Sequence, residues 1–109
     1  MISIEEQEIQ LDKLIKFVVE NPTEENKEEY LHLLNILEYS ILEESQKYKE
    51  NTPEHFNIRK EAFAIRPKYA KLMLNLWVSN YKTTSGCPHE YQDTLSIPFR
   101  QIKKPKDLD

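Results

Sequence analysis

Apolar residues recur along this chain at helical rather than strand intervals. In the first segment, Ile4, Leu11, Leu14, Ile15 and Val18 fall on one side of a helix. Ser3 followed by Glu6 has the form of a capping box, in which hydroxyl and carboxylate each satisfy an otherwise orphaned backbone amide. Asn21-Pro22 closes the segment, because the residue before proline avoids the helical region. A helix is therefore predicted over about 4–20. Thr23 caps the next one, with Glu24 and Glu25 placed favourably at its positive end. Tyr30, Leu34, Leu37, Ile41 and Tyr48 keep a 4-3-4 rhythm, and Glu44 fills the missing seam position. Nine of the thirteen residues from 30 to 42 are apolar, which predicts a helix, to about residue 50, that is central in a bundle or shared between subunits.

Thr52-Pro53-Glu54 starts a third helix: a capping hydroxyl, proline at the first helical position, then an acid. Phe56, Phe63, Ala70 and Trp77 recur every seven residues on one side, and Ile58, Ile65, Tyr69, Leu72 and Leu76 cover the adjoining side. Pro67 interrupts this pattern and has no N–H to give to residue 63. Arg66 is a poor cap, so the pattern predicts one kinked helix over about 53–82 rather than two. Periodicity stops at Thr83. Beyond the breaker cluster around Gly86 and Pro88, Leu95, Ile97 and Phe99 alternate, which predicts an extended segment limited by Pro98. The expected architecture is all-α: an up-down bundle of three long helices over 1–82, followed by a non-helical tail over 83–109.

Composition supports this reading. The 109 residues include one glycine, Gly86, which leaves little room for hairpin turns or phosphate-cradling loops. Cys87 is the sole cysteine, so no internal disulfide forms. No run reaches the about 18 apolar residues that suggest a membrane span. The opening residues, Met1 to Glu6, lack the basic-then-apolar pattern of a signal peptide, so a cytoplasmic protein with no membrane partner is expected.

Charge changes the picture more. The net charge is −4, yet residues 1–56 hold fourteen acidic against five basic residues and residues 57–109 hold five against ten. An acidic half is joined to a basic one, which bears on partners rather than on fold. At 100° per residue, Lys60, Lys71 and Lys82 share a narrow arc of the third helix, with Lys68 at its margin. These four are the candidate phosphate or anion contacts of a nucleic-acid-binding protein. The acidic pI of about 5.4 weighs against that function.

Candidate chemistry is sparse. Cys87 and His89 supply two metal-ligand types, but a zinc site needs further ligands at recognisable spacing. Glu29 and His32 have the Glu-x-x-His spacing of carboxylate metal bundles, but the motif occurs once. Adjacent glutamates on a helix diverge by about 100° and do not face one another as an acid–base pair. No catalytic residue, metal ligand or cofactor is expected. The leading expectation is a small non-enzymatic interaction protein: an adaptor, inhibitor or regulatory subunit with a protein partner, and itself a homodimer or a subunit of a larger assembly. Its expected contact residues are Tyr39, off the main seam of the second helix, and Leu95, Ile97, Phe99 and Arg100 of the tail. Tyr30, Leu34, Leu37 and Ile41 form either the core centre or a dimer seam.

Overall fold

The computed structural model of the protein describes residues 3–82 together with Ile102, Lys104 and Pro105. Three helices occupy nearly all of this length: α1 (Ile4–Glu20), α2 (Glu24–Ser45) and α3 (Pro53–Tyr81). Each begins as its sequence dictates. Ser3, Thr23 and Thr52 take extended backbone angles, and their hydroxyls accept hydrogen bonds from the amides of Glu6, Asn26 and His55. The turn between α1 and α2 is short because Asn21 closes one helix and braces the next. Its amide and its side-chain nitrogen both donate to the Phe17 carbonyl, and its own carbonyl accepts from Asn26 Nδ2 at 2.9 Å.

Long-range hydrogen bonds fix the up-down order. Gln7 Nε2 of α1 donates to Ser40 Oγ of α2 at 3.2 Å. Arg66 Nε of α3 donates to Glu38 Oε1 of α2 at 3.1 Å. At the far end, the Tyr81 hydroxyl donates to the Val19 carbonyl at 2.9 Å. Neighbouring helices are antiparallel, and α1 and α3 run parallel. One core fills the space between them, with Leu11, Ile15 and Val18 from α1, Tyr30, Leu34, Leu37 and Ile41 from α2, and Ile65, Tyr69, Met73 and Trp77 from α3. The α2 seam is thus buried inside a single chain. Ile102 joins the same cluster and Pro105 is also buried.

Two features differ from the sequence expectation. α2 ends at Ser45 rather than near residue 50. Beyond it, the amides of Gln46, Lys47 and Tyr48 bond to carbonyls three residues back, and Asn51 takes a left-handed φ of 67° that turns the chain into α3. This stretch has Tyr48 as its one large apolar side chain, and Tyr48 is exposed, so no burial rewards further helix. The Nδ1–H of His55 donates to the Ser45 carbonyl at 2.7 Å and satisfies one of the acceptors the helix end leaves open. The second difference is Leu72, expected on an apolar side of α3 but 39% exposed. It lies at the edge of the arc defined by Ile65, Tyr69 and Met73. α3 itself is a single helix that passes through Pro67.

Candidate functional site

The heptad stripe of α3 is packed at one end and open at the other. Trp77 is 8% exposed, Ala70 is buried, Phe63 is half-buried and Phe56 is 65% exposed. A seven-residue repeat drifts by about 20° per heptad on a straight α-helix. Over three heptads the stripe therefore swings by roughly 60°, and its Phe56 end points away from the core. Helix lengths add to this. α1 has 17 residues and α3 has 29, about 43 Å at 1.5 Å per residue. His55 bonds to the last residue of α2, and Tyr69 of α3 pairs with Asp12 of α1, so the first turns of α3 extend beyond the start of α1.

The result is a groove of about 740 Å³ beside the first half of α3. Phe56, Phe63, Ala64 and Pro67 give it apolar lining, and Arg59, Lys60, Glu50, Asn51 and His55 complete it. A smaller cleft of about 460 Å³ between the start of α1 and the end of α2 is lined mainly by polar side chains such as Gln7, Ser40, Glu43 and Lys47.

Next to the groove residue Pro67 in sequence, α3 makes an ionic contact with α2. Arg66, next to Pro67, bonds to the Glu38 carboxylate, which is wholly buried in the middle of α2. Burial lowers the pKa of the Arg66 guanidinium, and the nearby Tyr30 phenol acts the other way. Farther along α3, burial raises the Tyr69 phenol above its ordinary value. The Asp12 and Glu8 carboxylates of α1 reinforce this, and Asp12 is also its hydrogen-bond partner.

The residues expected to bind partners fall in different places. Lys60, Lys68, Lys71 and Lys82 are all exposed along α3, and Lys68 Nζ sits 5.4 Å from the centre of the Tyr69 ring. Only Lys60 lines the groove. Tyr39 is half-buried against the core, and burial together with a hydrogen bond to Glu43 raises its phenol pKa. Leu95, Ile97, Phe99 and Arg100, like Cys87 and His89, lie outside the described residues. Among those described, no three His, Cys, Asp or Glu side chains gather in a metal-binding group. No described helix is long and apolar enough to cross a membrane. Sequence reasoning missed Phe56 and Arg59 as groove residues and overlooked Glu38 altogether. The heptad drift and the short first helix were the available signals for Phe56. For Glu38, the signal was its spacing of four residues after Leu34 and three before Ile41, both on the seam.

The chain matches no family model, and neither a curated protein nor a solved structure is significantly similar to it. Its surfaces must therefore be read from their own chemistry.

Proposed function

We propose that this protein is a non-enzymatic interaction module, an adaptor, inhibitor or regulatory subunit, that binds a protein partner through the open half of α3. The observation that carries this reading is the exposure of Phe56 at the end of a stripe that passes through half-buried Phe63 to buried Ala70 and Trp77. An isolated exposed apolar side chain needs no explanation, but an aromatic heading an apolar groove has the anatomy of an interface centre. Replacing Phe56 with the photoreactive analogue p-benzoylphenylalanine tests it. Irradiation in extract of the source cells is expected to yield a covalent adduct with another protein. The same analogue at Gln10, exposed on α1, is expected to yield none. Absence of any adduct from position 56 would overturn the reading.

A second reading is nucleic-acid binding, favoured by the exposure of all four lysines of α3. It requires affinity for DNA or RNA that falls steeply with added salt and drops on Lys71→Glu. No binding at low salt would remove it.

A further inference from the structure

The α3 side of the groove is flanked by basic side chains. Phe56, Lys60, Phe63, Pro67 and Lys71 share one side of α3, and Arg59 flanks them. Both acids of α3, Glu54 and Glu61, sit roughly 120° or more around the helix from Pro67. At the groove itself, Arg59 and Lys60 stand against one carboxylate among the described lining residues, Glu50. An apolar lining with basic flanks selects an occupant that is apolar on one side and acidic beside it.

A second copy of this chain does not offer such a surface among its described residues. Two copies meeting groove to groove about a twofold axis would bring the Arg59 and Lys60 of each to a surface bearing the same two cations and one described carboxylate, Glu50, a mainly like-charge contact that disfavours pairing. α1 exposes Ile9 and Phe17, but Lys13 and Lys16 lie on the same side between them. α2 is strongly acidic, with seven glutamates against one lysine, yet it exposes none of the large apolar side chains.

We infer that the groove receives an amphipathic helix from another protein, with its apolar stripe on Phe56, Phe63 and Pro67 and its flanking Asp or Glu side chains against Arg59, Lys60 and Lys71. This is the helix-in-groove mode of recognition, in which anchors recur at i, i+3 or i+4, and i+7. The inference rests on the protein-binding reading above and gives the partner its chemistry.

The test uses the full chain and two labelled synthetic helical peptides that share one leucine stripe. One is flanked by glutamates and the other by lysines. In fluorescence anisotropy at low salt, the glutamate peptide is expected to bind at least about tenfold more tightly. Phe56→Ala is expected to weaken it about tenfold, as loss of a central aromatic anchor does. The side chain is exposed, so the fold should survive, and an unchanged circular dichroism melt verifies this. The double variant Arg59→Glu, Lys60→Glu is expected to reverse the preference between the peptides. Equal binding of the two peptides, binding of neither, or indifference to Phe56→Ala would overturn the inference. So would any of three other occupants. A concentration-dependent dimer abolished by Phe56→Ala would assign the groove to a second copy. Peptide binding that appears only in Phe99→Ser would assign it to the chain's own C-terminal segment. A single-stranded oligonucleotide that binds more tightly and displaces the peptide would assign it to nucleic acid. An adduct at position 56 without peptide preference would leave the protein-binding reading standing and remove this one alone.

Discussion

The two halves of α3 have the same raw material and opposite fates. Each carries two members of the stripe Phe56, Phe63, Ala70 and Trp77. From Tyr69 to Trp77 the helix lies against α1 and α2, and Tyr69, Ala70, Met73 and Trp77 are buried. From Phe56 to Pro67 the same stripe lines a groove. Hydrophobic character alone does not decide burial. A buried side chain also needs a neighbouring element at its height and a helical phase that points toward it. The first half of α3 has Ala62 and Ile65 in the core, but its stripe has rotated away, and α1 starts too late to cover it.

The sharpest challenge to this contrast lies at the boundary, where Arg66 meets Glu38. Arg66→Met would remove the guanidinium bonded to the buried Glu38 carboxylate, and about 3–5 kcal/mol of stability is expected to be lost in urea unfolding. The paired replacement Glu38→Leu, Arg66→Met is expected to recover most of that loss, since well-packed apolar side chains replace buried ion pairs at little cost. A double variant as unstable as the single one would give the ion pair a larger part in the fold than desolvation allows.

Within the closed half, Met73→Ala is expected to cost about 2–5 kcal/mol, the range for emptying a packed site. Tyr69 should make this half sensitive to alkali. Its phenol is raised in the folded protein, so the unfolded chain releases that proton first. Stability is then complete below the unfolded value of about 10 and is lost as pH rises toward the folded value. The urea midpoint should fall above that point, and the fall should be shallower in Tyr69→Phe.

In the open half the effects shrink. Thr52→Ala removes the cap of α3 and is expected to cost about 1 kcal/mol. Phe56→Ala should lie within about 0.5 kcal/mol of the parent, as at an ordinary surface site. A loss at Phe56 as large as that at Met73 would erase the distinction between the halves.

Much of the fold was legible because the signals were local. Three capping hydroxyls, Pro53 at a helix start and Asn21-Pro22 at a helix end are statements about a few adjacent residues, and the helices begin where these place them. The end of α2 was less legible. Tyr48 continues the seam rhythm, but rhythm cannot reveal that no partner lies opposite it. The groove depends on the relative heights of three helices, which spacing along one helix does not contain. The Glu38–Arg66 pair was hidden for a related reason. A lone glutamate on a helix reads as solvated surface until a cation from another helix is found beside it.

The hydrogen bond from Tyr81 to Val19 bears on how the molecule assembles and comes apart. It joins residues 62 positions apart, whereas each neighbouring helix pair is connected by a short turn. Closing the larger ring carries the greater entropic cost, so the two hairpins are expected to form before α1 and α3 meet. The reverse order holds for opening. In native-state hydrogen exchange, amides at the end of α1, near Val18 and Val19, should exchange sooner than those of Leu34 and Leu37 in α2, despite comparable burial. Tyr81→Phe, which keeps the ring and removes only the donor, should speed the first group and leave the second unchanged.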